Sequence, residues 1–163
     1  MKPAYCWYLN DEAKFKNTYG ALYNWHCVNT GKLCPNGWHV PSYGEWESLV
    51  IFLGGDSIAG AKLKESGTEH WYESEISSNL EATNSSGFTA LPGGFLSAGS
   101  ERWSIINFES IGLECVMWSS TAHTITEYGD RASVVGLSYG VGKGCSLGAM
   151  LKSSGISVRC IKD

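Results

Sequence analysis

The chain has 163 residues, which fits one domain and is too short to divide comfortably into two. Sixteen acidic and twelve basic side chains give a formal charge of −4 with no Lys/Arg cluster, so nucleic acid, which demands concentrated positive charge, is excluded as a partner. Seven Trp, eight Tyr and twenty Gly favour a turn-rich domain of short strands over a helical bundle.

In chain order, Met1 to Asn10 shows neither the charged start nor the apolar stretch of a targeting signal. The aromatic-rich run Tyr19 to Val28 predicts a strand. It leads into Cys34-Pro35-Asn36-Gly37-Trp38-His39-Val40-Pro41, where Pro and Gly enforce a turn. A helix follows from Ser42 to Leu53: Ser42 and Glu45 form a capping box, and Trp46, Leu49, Val50 and Leu53 make one apolar stripe. Gly54 and Gly55 stop it, and a second helix is expected from Ser57 to about Lys64. Residues 66–87 are polar and read as a surface excursion.

Short strands are then expected at Phe88 to Leu91, Gly94 to Leu96, Cys115 to Ser119, Ala132 to Ser138 and Ile156 to Ile161. The last alternates Ile156, Val158 and Cys160 against Ser157 and Arg159, the period-2 pattern of a half-buried strand. Helices early and strands late define an α+β domain spanning residues 1–163. No apolar run reaches the roughly 18 residues that span a bilayer, so no membrane span is expected.

Candidate catalytic motifs fail on their surroundings. Gly136-Leu137-Ser138-Tyr139-Gly140 matches the nucleophile elbow of hydrolases, yet a glycine-rich stretch follows it and no His occurs after His123. Lys143 is followed by Gly144 rather than Ser or Thr, and Leu137 stands where a phosphate loop needs Gly. Four histidines (His26, His39, His70, His123) are dispersed without i, i+4 partners, so no metal site and no cofactor is expected. Six cysteines form no C-x-x-C pair, which rejects a zinc ribbon or a thioredoxin motif. Cys6, Cys27 and Cys115 read equally as bridged or as buried free thiols. Trp25, Trp38, Trp46 and Trp118 fit core positions, while Trp71, Tyr72 and Trp103 fit exposed contacts.

Six segments together carry a resemblance. They are Tyr19 to Trp25, Cys34 to Ser42 running into Glu45-Trp46, Ala59 to Lys64, Ala82 to Gly94, Trp118 to Thr121 and Gly155 to Cys160. In this order they resemble the Fibrobacter succinogenes major paralogous domain over about residues 19–163. That family is similar to C-type lectin-like folds, which implies two helices, short antiparallel strands and paired N- and C-terminal strands. The resemblance also implies that Cys34 and Cys160 approach each other. Residues 122–154 depart from the pattern: Gly136 to Ala149 is dominated by small residues where members carry Tyr and Asn. Such a scatter is what a variable protein of a diversity-generating retroelement would show, and ordinary drift in a loop-rich region is the rival explanation.

The functional expectation is a non-enzymatic recognition protein on a lectin-like scaffold, with its contacts in the divergent segment. The expected ligand-binding residues are His123, Thr124, Tyr128, Asp130, Arg131, Ser138, Tyr139, Lys143, Ser146, Leu147, Ser153 and Ser154. Tyr supplies contact area at low rotamer cost and Ser supplies adaptable hydrogen bonds. The expected partner is a protein or glycan ligand on a cell or phage-target surface, and the expected location is extracellular, cell-surface or virion. Two alternatives remain: an exported hydrolase or redox enzyme using Ser138, Cys145 or His123, and a structural surface protein without a specific ligand. The oligomeric state is left open.

Overall fold

The computed structural model describes residues 1–72, 79–99, 106–123, 129–139 and 144–163. Among them the architecture is α+β, with four α-helices and nine short strands arranged in small antiparallel sheets. The strands are β1 Tyr5–Cys6, β2 Leu22–Tyr23, β3 Trp38–His39, β4 Gly93–Ser97, β5 Asn107–Ile111, β6 Glu114–Ala122, β7 Arg131–Ser138, β8 Cys145–Leu151 and β9 Ile161–Lys162. The helices are α1 Glu12–Tyr19, α2 Trp25–Val28, α3 Tyr43–Phe52 and α4 Asp56–Leu63.

The capping box predicted for the central helix forms: Ser42 Oγ accepts from the Glu45 amide, and the Glu45 carboxylate accepts from the Ser42 amide. α4 begins at Asp56, within a residue of its predicted start. Two helices were expected and four are present. α1 escaped because it buries only Phe15, so it has no apolar stripe to read. Its local chemistry is sufficient nonetheless: Asp11 caps the Lys14 amide at 3.0 Å, and Glu12 pairs with Lys16 one turn on.

Tyr19–Val28 is not one strand. It closes α1, pairs for two residues as β2, and then turns into the single-turn helix α2. Asn24 decides this: its side chain accepts from the Cys27 amide at 3.2 Å, and a side-chain cap outcompetes the β propensity of the neighbouring aromatics.

The core is organised around the antiparallel sheet β6-β7-β8, with β7 in the centre. Alternate residues face opposite sides, and both sides are covered. Cys115, Met117, Val135 and Leu137 meet Trp46 and Val50 of α3, Ala59 and Leu63 of α4, and Trp71. Val116, Trp118, Ala132 and Val134 meet Trp25, Val28, Val40, Phe95 and Ile156. A third cluster of Tyr8, Phe15 and Leu22 seats the N-terminal segment. Buried indoles need an acceptor, and each has one: Trp25 donates to Ser119 O, Trp46 to Trp118 O, Trp71 to Ala90 O and Trp118 to Tyr23 O. Two tryptophan expectations reverse. Trp71 is buried beneath its own turn, whereas Trp38, on the two-residue strand β3, is exposed. Trp103 lies outside the described residues.

The strands at the two ends of the chain do not pair with each other. β1 pairs with β2, β9 pairs with β3, and a bridge between Tyr23 and Ile156 joins the two regions. The disulfide is Cys34–Cys160, which fastens the C-terminal segment beside β3. Cys27, Cys115 and Cys145 are buried free thiols and Cys6 is half-buried.

Predicted strands β4, β6 and β7 lie where the sequence placed them, while β5 and β8 went unread. β8 is built largely of Ser, Gly, Ala and Leu, so its alternation is faint. Phe88 to Leu91 makes only a single bridge, Lys64 to Ala90, because Thr89 adopts a φ of 55° that breaks an extended run. From Ile156 onward the chain forms isolated bridges at 156 and 157 and then β9, not a continuous strand. At the β4–β5 crossing Gly94 has a φ of 62°, and a Cβ there would stand 2.3 Å from the Glu109 carbonyl oxygen. Only glycine fits.

Candidate recognition surface

The divergent segment is not an outward-facing tail. Its middle is β7, residues 131–138, in which Ala132, Ser133, Val134, Val135 and Leu137 are all buried. Exposure is restored in patches, which fall into two groups at opposite ends of the sheet. Arg131 and Ser138 are seven residues apart on one strand, about 23 Å at the usual rise.

At the first end stand His123, Asp130, Arg131 and Ser153. The His123 amide donates to Arg131 O at 3.0 Å, which closes the β6–β7 connection. Asp130 pairs with Lys152 at 2.6 Å, and the Lys152 ammonium also lies 4.6 Å from the Trp25 ring centroid. Arg131 donates to Ala149 O on β8. Asp130 and Arg131 are therefore held by structural partners, although Asp130 remains solvent-accessible. Ser154 is a correction: it is buried, and its hydroxyl accepts from the Ala98 amide at 3.4 Å, so it offers nothing to a ligand. Ser153 beside it is half-buried. Thr124, Tyr128 and Lys143 lie outside the described residues.

At the second end, Ser138, Ser146 and Gly148 share one face and are exposed, with half-buried Gly136 between them. Ser146 sits opposite Gly136 and Gly148 opposite Val134, so the strip is a shallow, polar, small-residue surface on a rigid ladder. Tyr139 and Leu147 turn to the other face and pack against the core cluster. The Tyr139 ring meets that of exposed Tyr72 edge to face, with centroids 5.7 Å apart. Among the described residues β8 is the edge of the sheet. Because the Lys152 amide donates to Asp130 O, ladder bonds fall on the even residues of β8, leaving the amides and carbonyls of Cys145, Leu147, Ala149 and Leu151 directed away from β7.

The residues of the enzymatic alternative do not converge. His123 Nε2 is 3.0 Å from Ser133 Oγ, not from Ser138, which lies five residues further along β7, about 17 Å away. Ser133 is buried, and among the described residues no carboxylate is bonded to the His123 imidazole. Burial pushes the Cys145 thiol up to about 11, far from a reactive thiolate.

A recess of about 160 Å³ lies elsewhere, lined by Val28, Leu33, Cys34, His39, Val40 and Ser120. None of the predicted contact residues lines it, and drug-sized ligands usually need pockets of about 300 Å³ or more. His39 at its edge is doubly satisfied, with Nδ1 2.6 Å from Asp163 and Nε2 2.8 Å from Glu45.

These features define a compactly cross-braced α+β scaffold whose exposed positions are carried by the ends and edge of one buried sheet. The Fibrobacter succinogenes major domain family matches residues 1–162, and the chain belongs to that family. The match includes β1 and α1, which the motif-based resemblance from residue 19 onward had left out. No curated protein and no solved structure matches the chain at a significant level.

Proposed function

We propose that this chain is a ligand-recognition domain with a C-type lectin-like fold that uses the edge and ends of the β6-β7-β8 sheet to contact a protein or glycan on a cell or phage-target surface. The observation that carries this reading is the Ser138, Gly136, Ser146, Gly148 strip. Backbone ladder bonds and the opposite, apolar face hold its shape, so side chains on the strip can change without cost to the core. Tyr72 and the accessible rim of Tyr139 border that end as aromatic anchors.

A diversified retroelement protein is consistent with this arrangement in a restricted form. Within residues 122–154, the buried positions of β7 would reject most replacements, and tolerated diversity would concentrate at His123, Asp130, Ser138, Ser146, Gly148 and Ser153. The lectin-like assignment is supported by the β3–β9 pair and its Cys34–Cys160 bridge, which bring the C-terminal segment back to the first quarter of the chain. That bridge also favours an extracellular, cell-surface or virion location, since oxidising surroundings preserve disulfides.

The test is a Ser138→Tyr/Ser146→Tyr double variant compared with the parent on whole-cell and glycan arrays. The fold should persist by circular dichroism while the binding profile changes. An unchanged profile refutes the site. A parent that binds nothing across broad arrays favours the structural-protein alternative. A near-identical copy of the 3′ coding segment beside a reverse transcriptase, differing at adenines, would establish diversification.

A further inference from the structure

The turn after α4 brings together three ligating side chains that neither the core nor the recognition strip uses. Glu65, Glu69 and His70 each offer an atom, and these atoms all lie within 4.8 Å of one another. His70 Nδ1 stands 2.9 and 3.0 Å from the two carboxylate oxygens of Glu65. Two donors about 2.1 Å from one tetrahedral ion lie about 3.4 Å apart, so this hydrogen-bonded pair needs to open by only about half an ångström to become neighbouring ligands. Glu69 is exposed, so its side chain is free to change rotamer and draw its carboxylate toward the other two groups.

His39 supplies an internal contrast. It too meets two carboxylates, but on opposite ring nitrogens, an arrangement in which Asp163 and Glu45 cannot share an ion. The three groups around His70 converge.

A second observation comes from Asn79. Its Nδ2 donates to the carbonyls of Glu65 at 2.7 Å and Gly67 at 2.8 Å, which seats the carboxamide against the turn that carries the ligands. The side chain is 1% exposed, yet its Oδ1 accepts no hydrogen bond. A buried acceptor without a donor requires an explanation, and a cation or its bound water at this turn provides one. The turn is also pre-organised. The Glu65 amide donates to Ala90 O, the Tyr72 amide donates to Gly112 O, and Tyr19 meets the His70 ring edge to face at 5.8 Å.

We propose that Glu65, Glu69 and His70 form a binding site for one divalent transition ion of the zinc class. An imidazole nitrogen with two carboxylates suits such an ion, whereas calcium and magnesium prefer oxygen ligands alone. Three protein ligands leave a position open to water or to an external group.

The test is calorimetric titration of the full chain with Zn²⁺ near neutral pH, together with NMR of the histidine ring nitrogens. The parent and a His39→Gln variant should each take up a single equivalent, with the His70 ring signal shifting on addition. Glu69→Gln, at an exposed position that leaves the fold intact, should weaken binding by about tenfold or more, and His70→Gln should abolish saturable uptake. Magnesium should not compete. Absence of saturable binding by the parent, an unmoved His70 signal, or unchanged affinity in Glu69→Gln would overturn the assignment.

Discussion

The Cys34–Cys160 bridge closes a loop across a sequence separation of 126 residues in a chain of 163. Its main action is on the unfolded state, whose freedom shrinks when two distant points are tied. For a loop of this length the chain-entropy relation gives a ceiling of about 5 kcal/mol at 25 °C, and residual structure in the unfolded chain brings the expectation down to about 3 kcal/mol. Domains of this kind hold only about 5–15 kcal/mol in total, so the loss is a large share. The β3–β9 ladder and the His39–Asp163 contact keep the C-terminal segment docked in the native state, so native packing should survive. A Cys34→Ala/Cys160→Ala double variant should therefore show native near-UV dichroism, a lower urea midpoint and a steeper dependence on urea, because its unfolded chain expands further. A stability loss below about 1 kcal/mol with an unchanged slope would refute the unfolded-state argument.

The hydrogen bond to Asp163, joined by one to Glu45, raises the His39 pKa above its ordinary 6.5. The contribution of this clasp is thus fully present below 6.5 and is lost as pH rises through the folded-state value; Asp163→Asn should bring the NMR titration of His39 back toward 6.5, and an unmoved midpoint would contradict the assignment. Gly94→Ala places a methyl group 2.3 Å from the Glu109 carbonyl at a positive φ, so a loss above about 2 kcal/mol is expected from strain and a displaced backbone; near-neutral unfolding free energies would show that the β4–β5 crossing is misread. Burial drives the Cys115 thiol up to about 12 and Cys145 up to about 11. In the native protein neither should react with a thiol reagent at mildly alkaline pH until urea exposes it. Because the folded values lie above the unfolded 9.0, stability should fall as pH climbs past 9.0, where the unfolded thiols ionise first; fast labelling without unfolding would refute the burial.

The legible parts of this protein are those where neighbouring residues suffice. The α3 helix was readable because a capping box, a four-residue apolar stripe and a double-glycine stop act within a dozen positions. Strands β6 and β7 were readable because each is centred on apolar residues with strand-forming side chains, Val116-Met117-Trp118 and Val134-Val135. The candidate site was half readable: the exposed residues Ser138 and Ser146 were named, and so was Ser154, which the fold buries. Small residues carry no hydrophobic signal, so whether a Ser faces water or the core is undecidable until its cross-strand partners are known. The Glu65, Glu69, His70 cluster has no histidine pair at helical spacing to mark it, and its signal in the sequence is a single His beside two nearby carboxylates.

By itself the sequence determined that the chain is one acidic, aromatic-rich α+β domain, where its central helices begin and end, and which family it resembles. Those properties follow from composition and from contacts between residues close in the chain. Only the tertiary structure decided that the glycine- and serine-rich stretch supplies the central strand of the core as well as its exposed edge, that Ser154 is buried, and that three ligating groups meet on one turn. Each of these depends on distant segments excluding water together, and no local pattern records that.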